Sequence, residues 1–137
     1  MKWFFDNNLA RGLAESIAPV LRIILRRHGD SVVHLRDMFP QDAKDVDWLR
    51  NLVPKGEWVI VSGDADIIRV PAERQAWIES GHVAFFLAPG WTQLDPLVQL
   101  RKLAELMPTL IEHAERLRGP VGLRVPLRST KLDRIYP

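Results

Sequence analysis

The sequence predicts an α/β fold of three layers, a central parallel sheet of four or five strands with helices on both faces. Three observations lead there. Short apolar runs, Lys2–Phe5, Trp58–Val61 and His82–Leu87, read as buried strands rather than amphipathic ones. Between them lie stretches whose apolar residues recur every three or four positions, the helical period. Eight glycines and ten prolines cut the chain into short elements. Strands alternating with helices imply parallel pairing and right-handed crossovers.

Residues 2–5 form the first expected strand, and Asn8 is placed to cap the helix after it. Leu9, Leu13, Ile17, Leu21, Ile24 and Leu25 make that helix's apolar stripe. Pro19 falls inside it, so a kink or break is expected near Ala18. Gly29 ends the helix. Ser31–Leu35 is the second strand, followed by a loop from Asp37 to Gln41. Asp42 is most simply the cap of a helix running through Leu52, with Val46, Leu49 and Val53 inward. Pro54-Lys55-Gly56 turns the chain into the third strand, Trp58–Val61.

Pro71 opens a short helix over Ala72–Ser80, closed by Gly81. His82–Leu87 is the fourth strand. Thr92 or Asp95 caps a long helix with Leu97, Leu100, Leu103, Leu106, Leu110 and Ile111 on its apolar face and Pro108 as a second kink. Val121–Val125 can add a strand. The expected division is one domain over residues 1–127 and a weakly ordered tail over 128–137.

At 137 residues the chain can bury roughly two-thirds of its unfolded surface without a disulfide or metal staple. The absence of cysteine excludes disulfides, thiolate zinc sites and thiol catalysis, and fits a cytoplasmic location. No signal-like apolar core follows Met1-Lys2, and no apolar run approaches a membrane span, so no membrane partner is expected. A net charge of +2 does not by itself argue for nucleic-acid binding.

The chemistry lies in the acids. The first strand ends on Asp6 and the third runs through Ser62-Gly63 into Asp64 and Asp66. In a parallel sheet both ends fall on the carboxyl edge, where ligands of such sheets bind. Asp45, near the start of the helix after the second strand, can reach the same edge. Taken singly, Asp6 can be a helix cap, Asp45 a complement to a helix dipole and Asp64 or Asp66 a turn former. Gathered together they would repel one another unless a cation lay between them, and hard oxygen ligands suit Mg²⁺ or Mn²⁺. The four histidines make no metal spacing, and His34 and His82 read as core or edge residues.

In order, Phe5-Asp6-Asn7-Asn8-Leu9, Val32-Val33-His34-Leu35-Arg36-Asp37, Asp45-Val46-Asp47-Trp48-Leu49 and Val59-Ile60-Val61-Ser62-Gly63-Asp64-Ala65-Asp66 resemble the PIN-like nucleases. The resemblance is closest to the compact group with an N-terminal "DEN-L" motif that includes some VapC-type toxins. It implies a PIN-like fold and a Mg²⁺- or Mn²⁺-dependent ribonuclease. In that reading Asp6, Asp45 and Asp64 hold the metal and Asp66 is a fourth acid. It further implies an RNA substrate, a protein antitoxin and a homodimer. Arg36, Arg69 and Arg74 stand near the same edge and can hold RNA phosphates. Two departures are visible: Asn7 replaces a common second acid, and Ser62-Gly63 replaces the usual pair before the aspartate. A catalytically weak or inactive PIN-like interaction domain is the alternative. A receiver-like domain fits less well, because His82–Leu87 leads into Ala88-Pro89-Gly90 and not a lysine.

Overall fold

The computed structural model describes residues 2–6, 9, 11–25, 31–63 and 66–136, with only the backbone described at Arg11, Leu25 and Asp66. Six strands form one sheet: β1 (Lys2–Phe5), β2 (Ser31–His34), β3 (Trp58–Ser62), β4 (Val83–Leu87), β5 (Val121–Val125) and β6 (Asp133–Tyr136). Their spatial order is β2-β1-β3-β4-β5-β6. The first five are parallel, and β6 runs antiparallel to β5. The segment expected as a loose tail thus supplies the sixth strand. Its Tyr136 packs edge-on to Trp77, with ring centroids 5.1 Å apart.

Helices α1 (Arg11–Leu25) and α6 (Pro96–Arg116) cover one face, over Trp3, Phe5, Val59, Val61, Phe85 and Leu123. The other face carries α2 (Leu35–Met38), α3 (Asp45–Leu52), α4 (Asp66–Arg69) and α5 (Pro71–Ser80), over Phe4, Trp58, Ile60, Ala84 and Phe86. Strict alternation along β1 and β3 sends successive residues to opposite cores, which is why these strands are apolar throughout. The three-layer arrangement is the one expected, with six strands in place of four or five.

Several local expectations are corrected. Lys44, not Asp42, precedes the first turn of α3, and its side chain makes no capping bond. Asp42 instead sits exposed in a turn in which Ala43 N donates to Pro40 O at 3.0 Å. The second strand stops at His34 because Leu35–Met38 closes a helical turn. His34 Nδ1 accepts from Arg36 N at 3.2 Å, and Asp37 Oδ2 accepts from His34 N at 3.0 Å. This is a capping box at the amino end of the turn. The fourth strand begins at Val83.

Pro19 and Pro108 lie within uninterrupted helices, each on the exposed side. Asp95 caps α6, accepting from Leu97 N at 2.9 Å, but Leu97 itself is 77% exposed. The first turn of α6 buries Gln99 instead, whose Nε2 donates to Leu94 O at 2.9 Å. The expected roles of Asn8 and Gly29 lie outside the described residues.

At the amino edge of the sheet His82 is 3% exposed, its backbone held by Ser80 and Trp77. Its Nε2 is buried without a partner among the described residues. Desolvation lowers its pKa to about 4 from the usual 6.5. Between those values the unfolded chain binds more protons than the folded one. Stability is therefore complete above pH 6.5 and is lost as pH falls toward 4. At pH 4.5 the loss from this group is on the order of 2 kcal/mol. Urea unfolding of the native chain and His82→Phe at pH 7.5 and 4.5 is expected to show that much less acid destabilisation in the variant. Equal acid losses would remove His82 as the cause.

Candidate active site

Register brings the ends of three strands together. Phe5 of β1 lies between His34 of β2 and Val61 of β3. The next residues on each strand are Asp6, Leu35 and Ser62. Asp6 N extends the ladder by donating to Val61 O at 3.0 Å. Alternation puts the Asp6 side chain on the face of Phe4, and Ser62 on that of Trp58 and Ile60. These are the same face, and the two meet: Ser62 Oγ donates to Asp6 Oδ2 at 2.7 Å. Both residues are buried, Asp6 to 3% exposure. A carboxyl oxygen accepting a hydroxyl bond at this distance makes a short contact.

Leu9 is held from two sides. Leu9 N donates to Asp6 O at 3.0 Å, and the wholly buried His34 reaches Leu9 O through Nε2 at 2.6 Å. Because Nδ1 is the acceptor for Arg36 N, the ring proton belongs on Nε2. His34 is thus a satisfied core residue that ties β2, α2 and the turn behind Asp6 into one unit.

Asp45 opens α3 on the same layer. Its Oδ1 accepts from Trp48 Nε1 at 2.8 Å. Trp48 in turn stacks on Phe4, centroids 4.8 Å apart and planes 26° from parallel. Phe4 is two residues before Asp6, so this stack sets the height of α3 against β1. It leaves the half-buried Asp45 at the carboxyl-edge end of the helix. Asp66 begins α4, just beyond β3, on the same layer. Asp64 and the side chain of Asp66 lie outside the described residues. Among the described residues no three of His, Asp and Glu gather as a metal-binding group.

Arg36 in α2 and Arg69 at the end of α4 are exposed, while Arg74 is half-buried and reaches Ile68 O at 3.5 Å. A cavity of about 760 Å³ lies at the opposite edge, bordered by Trp58, His82, Ala114 and Leu117. Asp6 and Asp45 lie instead at the carboxyl edge, where parallel sheets present their ligand sites.

A family profile described as "PIN like domain" matches residues 1–89, from β1 through β4 and its following turn. The chain belongs to the PIN-like domain family. Nothing matches among curated proteins or among solved structures. PIN-like domains are nuclease-type folds, and those that are nucleases typically use divalent metals. In this PIN-like domain, sequence reasoning placed Asp6 at a strand end but treated Ser62 as part of a turn. The signal for Ser62 was available: it shares the parity of Ile60, so it had to face the layer that receives Asp6.

Ser62→Ala is expected to destabilise the fold by about 1–3 kcal/mol, the cost of leaving a buried acceptor without its donor. Chemical denaturation measures this directly. A change below about 0.5 kcal/mol would mean that the Ser62–Asp6 bond contributes little.

Proposed function

We propose that this PIN-like domain is a Mg²⁺- or Mn²⁺-dependent endoribonuclease, the toxin of a VapC-type toxin–antitoxin pair. The observation that carries the reading is the buried Asp6 at the end of β1, bonded to Ser62 at the end of β3. Burying a carboxylate is costly unless its oxygens are used. Here they are used at the edge where substrates of parallel-sheet proteins bind.

The donor set fits a hard divalent cation, because Asp6, Asp45 and Asp64 offer carboxylate oxygens only. These three would hold the ion, with Asp66 beside them. Such an ion supplies Lewis acidity, making hydroxide available near neutral pH and offsetting phosphate charge. The protein's own part is positioning. Ser62 orients Asp6, Trp48 orients Asp45, and His34 holds Leu9, whose N–H is bonded to the Asp6 carbonyl. In this reading the exposed Arg36 and Arg69 would contact RNA phosphates. No described helix is long and apolar enough to cross a membrane.

For the protein partners, α1 provides the support. From Leu100 onward the apolar stripe of α6 is spent on the core and Leu97 alone of that stripe is exposed, whereas α1 ends on two adjacent exposed isoleucines, Ile23 at 71% and Ile24 at 42%. We assign homodimerisation or antitoxin binding to that end of α1.

The test is cleavage of a labelled single-stranded RNA by purified protein with Mn²⁺ and with EDTA. Cleavage is expected only with the metal, and Asp6→Asn or Asp45→Asn should lower kcat/KM at least about 100-fold, some 2.7 kcal/mol of transition-state stabilisation. Expression of the native chain should arrest growth and Asp6→Asn should not. Full activity in Asp6→Asn, or equal activity in EDTA, would overturn the catalytic reading. Mn²⁺ binding without cleavage would favour the inactive interaction domain.

A further inference from the structure

We infer that the β5–β6 segment is a phosphate-binding strip that feeds single-stranded RNA toward the acidic edge; the choice of RNA rests on the ribonuclease reading. Residues 124–134 contain Arg124, Arg128, Lys131 and Arg134 against one acid, Asp133. That is a local charge of +3 in a chain whose total is +2, so the remainder is net acidic. All four cations are exposed; Arg134, paired with Leu123, is on the opposite face of the sheet from Arg124, so the strip wraps the β6 margin rather than lining one face. None has a side-chain hydrogen bond or ion pair among the described residues. Cations left unpaired on a surface are available to a polyanion without breaking any contact first.

The segment carrying them is fixed. Ala88 N donates to Val125 O at 2.9 Å, Trp91 Nε1 to Pro126 O at 3.1 Å and Lys102 Nζ to Leu127 O at 2.7 Å. Lys131 N is held by Ser129 Oγ at 3.0 Å. Pre-ordered cations lose less freedom on binding than those on a loose chain.

Position gives the strip its direction. β5 runs parallel to β3 and β4, so Arg124 and the turn after Val125 lie at the carboxyl edge. Register puts Ser62, Phe86 and Arg124 in one row across β3, β4 and β5, all facing the layer of α3 and α4. Two strand spacings, about 10 Å, separate the Ser62 and Arg124 backbones. Ser62 holds Asp6. A site made of carboxylates repels a phosphate chain at a distance, and a cationic strip two strands away supplies the attraction the acids cannot. An acidic protein would find the same charge, but nothing would tie it to the acid edge.

The experiment uses the native chain in EDTA, where no metal-dependent cleavage interferes, and a fluorescent uridine 20-mer. Kd is measured across a KCl series. The combined variant Arg124→Gln, Arg128→Gln, Lys131→Gln, Arg134→Gln is compared with Arg50→Gln, an exposed arginine on α3. The combined variant is expected to bind at least tenfold more weakly in low salt. Its slope of log Kd on log salt should fall by about 2–3, since each single-strand phosphate contact contributes about 0.7. Arg50→Gln should leave the slope unchanged. An unaltered slope in the combined variant, with an unaltered unfolding midpoint, would overturn the strip. Tighter strip-dependent binding of polyglutamate than of RNA would overturn the choice of partner. Strip-dependent binding by a protein that never cleaves RNA would sink the ribonuclease reading and leave the strip standing.

Discussion

A carboxylate withdrawn from water loses several kcal/mol of hydration, and a fold keeps one only where something returns that energy. Asp6 is withdrawn in this way. Its backbone continues the β1–β3 ladder, and alternation along the strand sends its side chain into the buried layer beside Phe4. The Ser62 hydroxyl, one strand over and on the same face, is brought to it by parallel register. Slipping β3 by a single residue would send Ser62 to the opposite core and leave the acid facing Gly63 or Val61. The rest of the carboxyl edge is built around preventing that slip.

Aromatic packing does much of the preventing. Phe4 touches Trp48, Phe39 and Trp58, so α3, the turn after α2 and the start of β3 all converge on one ring of β1. Such pairs add about 0.5–1.5 kcal/mol each beyond the area they bury. On the opposite face Trp3 stacks against Phe85, locking β1 to β4 across β3. Trp58 is held further by its indole N–H to Leu52 O at 3.1 Å. The tryptophans of this chain are structural fasteners, each with a ring in a core, and four of them donate the indole proton to a named oxygen.

Much of this was legible in the residues. Apolar runs gave five of the six strands to within a residue, and three- and four-residue spacing gave the two long helices. The strand-end placement of Asp6 followed from those alone. What escaped was local and polar. The turn Leu35–Met38 depends on His34 and Asp37 capping each other, a pairing invisible to hydrophobic periodicity. The single-turn helix Asp66–Arg69 is too short to show a period. β6 was missed because Asp133-Arg134-Ile135-Tyr136 is only half apolar, as suits an edge strand with one wet side. Leu97 misled because an apolar residue at the right spacing still lies outside the core when its turn is the first of the helix.

The strand order carries a consequence for how the chain is made. β4 is central and fully buried, yet its outer neighbour β5 begins more than thirty residues later, after the whole of α6. As the polypeptide leaves the ribosome, the portion through Leu87 can assemble four strands but presents the row of unsatisfied amides and carbonyls on Val83–Leu87 to whatever is nearby. That bare margin persists until Val121–Val125 emerges. Mis-joining of two nascent chains, strand to strand, is therefore the failure to which this topology is most prone, and delayed translation across α6 would lengthen the exposure.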